Sequence, residues 1–435
     1  MGTAWRMAAA LSVASGSVVL GKWWCGQERP AREMRAGDGS CSPNVVFAEE
    51  DQSGTPHAQD SRQLVMAVNV FRHGDRQPIW FSLGSFKETK EESTYWESQQ
   101  VPKETQQFWT GLFPLRRVAR VAESLQGERL HEQVFSDSVV GLSPTDYDRR
   151  EGEEADQYFK DLFDPSLPAS SLSEKNTSEF SRGLLTKRGA WDLQCVGRRL
   201  RERYAPHFPF LADAIPGGAA KAEVFARATP YPRTIQSTQN VLAGLLYDDV
   251  HFNFLYPNAA MARRNLHPAP MVPVHVRPRD LDILFPNRKV FPKIGEWWLA
   301  LRNEANEAVV TGDFAKARPS PLSLNFNTRE IADAVTKLFA IPDGAYANFN
   351  AIQDMMRTRG RHNLPLPPSI TPTMFDRVLQ INSWIWHQVL SEPGMEYYSA
   401  AFLLSEILCE LKAHVDADSA GLPNKGPRIV LYGGH

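Results

Sequence analysis

The stretch "QLVMAVNVFRHGDRQP", residues 63–78, constrains the fold more than any other part of the chain. Leu64 to Phe71 is a compact, valine-rich run in which Asn69 is the one polar residue. It lacks the three- and four-residue spacing of an amphipathic helix, so it reads as a strand buried on both faces. The run ends abruptly in Arg72, His73, Asp75 and Arg76, and Pro78 stiffens the exit.

Such a strand needs helices to cover it, and the sequence supplies them. "LTKRGAWDLQCVGRRLRERYAPHF" sets Leu193, Val196 and Leu200 on one helical face and turns Arg198, Arg201 and Arg203 away from it, toward solvent. "AEVFARATPYPRTIQSTQNVLAGLL" is a second strand, a polar loop and an amphipathic helix. "MVPVHVRP" (271–278) is a short strand, "MFDRVLQINSWIWHQVL" and "AAFLLSEILCELKAHV" are helices, and "RIVLY" is a last strand. Strand, loop and helix in this rhythm predict an α/β fold, with ligands beyond the carboxyl ends of the strands.

The remainder of the chain sets boundaries. Arg6 followed by "MAAALSVASGSVVLG" makes residues 1–24 a secretory signal peptide, with an uncleaved membrane anchor as the alternative. A spanning helix needs ~20 apolar residues, and Lys22 interrupts this one. Residues 25–61 are a polar linker, and 62–435 form the folded domain. Within it, the charged block 81–182 reads as helices inserted after the first strand, either a functional lid or a solvated excursion. Cys25, Cys41, Cys195 and Cys409 define no disulfide framework, and Asn176 heads the single N-x-Ser/Thr sequon. A net charge of -2 gives no footprint for nucleic acid. No Cys/His spacing suits zinc and no acidic run suits calcium, so no metal or cofactor is expected.

Three loops at strand ends carry the chemistry: "RHGDR", "RATPYPR" and "GGH". Together they bring Arg72, His73, Arg76, Arg227, Arg233 and His435 to one edge of the sheet. Guanidiniums stay charged and pair bidentately with phosphate oxygens, so several of them around a histidine suit a phosphoryl group. Their charge disfavours imidazolium and leaves a nucleophilic imidazole. The plain alternative is a surface turn in which Asp75 pairs with neighbouring arginines.

"RHGDRQP" resembles the R-H-G-x-R-x-P signature of the histidine acid phosphatases, within the phosphoglycerate-mutase-like superfamily. "EVFARATPYPRT" resembles that family's R-x-T-x-x-x-R loop, "PMVPVHVRP" its P-V-H strand, and "RIVLYGGH" the approach to its closing His-Asp pair. "VLAGLL", "LFPN" and "RHNLP" look most like the lysophosphatidic acid phosphatase branch. The resemblance implies a three-layer α/β sandwich with a mixed, mostly parallel sheet and a smaller, mainly helical cap, much of it from residues 81–182. It implies His73 as the nucleophile, Arg72, Arg76 and Arg233 as the phosphate cradle, and His435 as a second catalytic histidine beside the phosphate. Arg227 matches the first arginine of the second loop, with a less defined part in phosphate binding, and Asp75 is given none. The expected partner is a small phosphomonoester, and the branch resemblance implies a lysophospholipid. Aromatic residues Trp80, Phe81, Phe108, Trp109 and Phe113 either line an apolar entrance for an acyl chain or pack the insertion onto the core.

The sequence departs from the family pattern at its end. The family's proton-donating aspartate follows the position of His435, where this sequence stops, so the last part of the core also falls beyond it. The expected activity is therefore an acid phosphatase working through a phosphohistidine, in a truncated chain. The alternative is a catalytically impaired, phosphate-binding pseudophosphatase. A mutase fits the motif less well, and phytases of this kind usually carry more than four cysteines.

Overall fold

Along the central strands apolar side chains alternate between two covered faces, as the computed structural model shows. The structure describes residues 12–14, 64–79, 83, 86–117, 183–211, 223–247, 272–277 and 282–434, apart from 289, 343, 368 and 422–425. Six strands form one sheet: β1 (Ser12–Ala14), β2 (Ala67–Arg72), β3 (Leu115–Arg117), β4 (Val224–Ala228), β5 (Val274–Val276) and β6 (Ile429–Gly434). Their order is β1-β2-β6-β4-β5-β3, and every described pairing is parallel. Ala67 lies opposite Ile429 and Arg72 opposite Gly434, so β2 and β6 end together. Val224 of β4 also pairs with Ile429, which brings a third carboxyl end to the same edge.

On one face Ala67, Phe71, Ala226, Ala228, Ile429 and Leu431 share a core with three helices. In chain order the helices are α1 (Lys90–Gln99), α2 (Lys103–Leu112), α3 (Lys187–Tyr204) and α4 (Pro232–Leu246). Of these, α2, α3 and α4 line that core through Trp109, Leu193 and Leu242. Helices α3 and α4 meet backbone to backbone: a Cβ on Gly197 would fall 2.1 Å from the Val241 carbonyl oxygen, and one on Gly244 2.1 Å from that of Gln194. The other residues of the same strands, Val68, Val430 and Tyr432, pack against Ile407 and Leu403 of α9 (Pro393–Ser419). Fully burying a Val or Leu side chain contributes about 1.5–3 kcal/mol, so strands buried on both sides account for the unbroken apolar runs in the sequence.

A second, helical core lies apart from the sheet. It joins α5 (Pro292–Thr311), α6 (Thr328–Leu338), α7 (Phe349–Arg361) and α8 (Pro372–Leu390) through Val309, Ile331, Ile352, Met355, Val378 and Ile381. The expectation that much of the cap comes from 81–182 falls largely on residues 118–182, which lie outside the described residues. The described parts of that block divide: Leu83 and Phe86 pack against the helical core, whereas α2 covers the sheet and β3 joins its edge. The reason is patterning. Leu112 and Phe113 directly precede the β3 strand, and their burial goes with the sheet. Residues 118–182 lie outside the described residues, as do the 25–61 linker and, beyond β1, the 1–24 leader. No helix among the described residues is long and apolar enough to cross a membrane.

Candidate active site

Strand β2 hands over to the charged loop while still held by its neighbour, since the His73 backbone N–H donates to the Gly434 carbonyl at 3.1 Å. The His73 ring turns back on its own loop, with Nδ1 2.8 Å from the Gly74 carbonyl oxygen. A carbonyl only accepts, so this contact assigns the proton to Nδ1 and the lone pair to Nε2. The Gly74 N–H donates to Ser237 Oγ at 3.1 Å, and that hydroxyl donates to the Arg233 carbonyl at 2.5 Å. The loop is thereby tied to the first turn of α4. It is also pressed against α3: a Cβ on Gly74 would sit 2.6 Å from the Gly189 carbonyl oxygen, so a larger residue at either position would push the histidine loop outward.

Two arginines from different segments lie side by side next to this histidine loop. Arg76 is buried and donates to both oxygens of Asp354, at 2.6 and 3.3 Å, and to the Gln77 carbonyl at 2.9 Å. Arg233, the second residue of α4, lies 4.8 Å over the Tyr231 ring. A Cβ placed on Gly183 would approach Arg233 Nη1 at 3.6 Å and Arg76 Cδ at 3.5 Å, so both arginine side chains pass close to Gly183. Burial first, then the charges of Arg76 and Arg72, push the Arg233 pKa down to about 10. Arg72 keeps solvent access yet is crowded by protein; that crowding, then Arg76 and Arg357, lowers it to about 10 as well, against the opposing pull of Asp354. For the buried Arg233 the shift corresponds to about 3 kcal/mol of disfavoured positive charge. An anion placed among these groups relieves that cost, and a phosphoryl group carries the charge to do so.

The other two expected residues behave differently. Arg227 points into the protein and is spoken for: Nη1 lies 2.7 Å from both Glu406 oxygens and Nη2 2.8 Å from Asp282. Arg277 joins at 3.4 Å from Glu406, and the Tyr432 hydroxyl donates to the same carboxylate at 3.2 Å. Burial lowers the Arg227 guanidinium's preference for charge, but Glu406 and Asp282 outweigh it and raise its pKa. His435 lies outside the described residues. Asp75, which the sequence left without a role, has a side chain only 2% exposed that accepts from Thr186 Oγ1 at 2.6 Å and from His362 Nε2 at 2.7 Å. Burial works to raise its pKa, yet the hydrogen bonds from His362 and Thr186 prevail and hold it below the ordinary value. Arg361, from the end of α7, also approaches it at 3.4 Å. Of the aromatic residues, Trp109 and Phe113 are buried in the sheet's core and stack with centroids 6.0 Å apart, so they pack rather than line an entrance. Trp80 and Phe81 lie outside the described residues.

Sequence reasoning missed the contribution of α7. Asp354 reaches Arg76 and also accepts from the Ile79 N–H at 2.8 Å, and Arg357 follows one turn later beside Arg72. Their spacing, i to i+3 on one helix face, was visible. Nothing in it pointed to a loop 278 residues earlier.

The profile of the histidine phosphatase superfamily (branch 2) matches residues 63–288, just over half of the chain. The chain belongs to that superfamily. Among curated proteins it is similar to Counting factor 60 of Dictyostelium discoideum, 21% identical over 282 residues, or 65% of this chain and 58% of that protein. It is also similar to Lysophosphatidic acid phosphatase type 6 of Homo sapiens, 24% identical over 255 residues, or 58% of this chain and 50% of that protein. The chain thus spans about half the length of the curated relatives it matches. Among solved structures, Hafnia alvei phytase in complex with tartrate aligns with a TM-score of 0.39 and 14% identity, covering 86% of this chain and 72% of the phytase.

Proposed function

We propose that the chain is a phosphatase that hydrolyses small phosphomonoesters through a phosphohistidine on His73. The observation that supports this reading is the 2.8 Å contact of Nδ1 with the Gly74 carbonyl, which assigns the lone pair to Nε2 on a loop that also carries Arg72 and Arg76. Nε2 attacks phosphorus, an Nε2–P bond forms and the P–O ester bond breaks. The leaving alkoxide takes a proton from a general acid, whose place in the family pattern is the residue after His435. Water then attacks the phosphohistidine, releasing phosphate and restoring the imidazole. Phosphoryl transfer depends chiefly on positioning and charge neutralisation, which the arginines provide. His435 belongs to the phosphate site in this scheme. Arg227 does not, because moving it outward would leave the buried Glu406 and Asp282 with only Arg277 near them.

A lysophospholipid such as lysophosphatidic acid is the substrate class that the sequence resemblance favours, and a relative bears that name. A secretory setting with an acidic optimum goes with it. Hydrolysis of para-nitrophenyl phosphate by wild type and His73→Ala, with and without EDTA, tests the reaction. The expected result is activity that is lost in the variant and indifferent to the chelator. Equal rates for the two proteins would sink the assignment of His73.

A further inference from the structure

We infer that His362 is a positioning residue for the proposed nucleophile, acting through Asp75. The inference rests on the reading of His73 as the phosphoryl acceptor and adds a residue to it that no motif marks.

His362 caps the C-terminus of α7, with its backbone N–H donating to the Arg359 carbonyl at 3.0 Å. Its ring is enclosed, 4% exposed, with its edge against Trp96 at a centroid distance of 4.9 Å. Nε2 donates to Asp75 Oδ2 at 2.7 Å, since an ionised carboxylate only accepts. Nδ1 then accepts from the Tyr95 hydroxyl at 3.0 Å. Both helices that frame this ring are fixed to one another, because Arg359 of α7 makes a buried bidentate pair with Glu92 of α1, at 2.8 Å for Nη2. The imidazole is therefore a rigid strut from the helical layer to the loop.

The strut bears on the reacting group through few bonds. Asp75 is two residues from His73, and its backbone carbonyl accepts from the Thr186 N–H at 3.0 Å and Oγ1 at 3.1 Å. Side chain and backbone of Asp75 are thus both held, and between it and His73 lies Gly74, whose carbonyl accepts the His73 Nδ1 proton. Releasing the carboxylate lets Asp75 shift, carries the Gly74 carbonyl with it and turns the imidazole away from line of attack. Misplacement by ~1 Å costs on the order of 10²-fold in rate. The competing view is that His362 merely ties two layers together, in which case its loss lowers stability and leaves each folded molecule fully active.

Three variants of the full natural chain separate these views. In His362→Gln the amide nitrogen reaches the place of Nε2 and can still donate to Asp75. In His362→Asn it reaches only the place of Nδ1, and in His362→Leu there is no donor. Measured per folded molecule, kcat is expected to fall on the order of 10²-fold in Leu and Asn, with KM little changed, and to recover most of that in Gln. Tyr95→Phe removes only the outer hydroxyl and should keep kcat near wild type. Melting temperatures are recorded for all four. If Gln, Asn and Leu keep wild-type kcat while their melting temperatures fall, the inference is overturned and the tie is structural. If Gln and Asn fall alike, the bond to Asp75 is not what matters, and the inference also fails. A wild-type chain with no activity above His73→Ala overturns the underlying reading itself, which is a distinct result.

Discussion

Replacing Gly189 with alanine should damage catalysis far more than stability. Gly189 is the third residue of α3, and its N–H is capped by Thr186 Oγ1 at 3.1 Å. A Cβ there would lie 2.1 Å from the Asp75 carbonyl oxygen, 2.6 Å from its nitrogen and 2.9 Å from its carbonyl carbon. Ordinary van der Waals contact is about 3.5 Å, so helix and loop must part by about 1 Å, and neither side is a flexible side chain. Overpacking of this kind costs about 1–3 kcal/mol. Alanine's better helix propensity returns about 1 kcal/mol, leaving a net loss of about 0–2 kcal/mol. A domain with the usual ~5–15 kcal/mol of stability stays folded through that. The same movement displaces the segment that orients His73, which predicts a fall in kcat on the order of 10²-fold. Gly197→Ala is the control, because its Cβ would also come within 2.1 Å of backbone, at the Val241 carbonyl, but between α3 and α4 rather than at the loop. Steady-state hydrolysis per folded molecule and thermal melting are measured for both. Equal activity losses in the two variants, or an undiminished kcat in Gly189→Ala, would refute the link between this contact and the nucleophile.

Further expectations concern the buried charges. Arg227→Met removes the main cation from Glu406 and Asp282 and leaves only Arg277 nearby, so the stability measured by denaturant unfolding should drop by up to about 3–5 kcal/mol. Unchanged stability together with weakened phosphate inhibition would instead return Arg227 to the cradle. Glu410 on α9 has its carboxyl pushed up to about 7, by burial first and then by the charge of Glu406. A carboxyl raised above its ordinary ~4.3 contributes stability that is fully present below that value and is lost as pH rises through about 7. Melting temperature should therefore decline across that window, and Glu410→Gln should flatten the decline; an identical slope in the variant would show that another group is responsible.

What could be read from the chain followed from how local the signal was. Strands β2, β4 and β6 and helices α3, α4, α8 and α9 were legible, since each is a continuous apolar run or an amphipathic period. The arginine–histidine loop was legible because its residues are neighbours. The partners of those residues were not. Asp354 lies 278 positions from Arg76, and Glu406 lies 179 from Arg227, on helices whose polar residues look like ordinary solvated faces. Arg227 itself misled, since its place in the loop motif says nothing about which way a strand residue points. It sits on β4 next to Ala226 and Ala228, both of which face the α3 and α4 core, so the two-residue alternation sends its side chain toward α9. The helical layer was hidden for the same reason, because the apolar stripes of α5, α6, α7 and α8 require partners without naming them.

The central claim is that His73 Nε2 becomes covalently phosphorylated. Rapid acid-free quenching of the full natural chain during turnover of a phosphomonoester, followed by peptide mass spectrometry, tests it directly. The account predicts one phosphoryl group on the peptide bearing His73, stable to alkali, labile to acid and absent from His73→Ala. A chain that turns over substrate while His73 stays unmodified, or that carries the phosphoryl group on another residue, would contradict it.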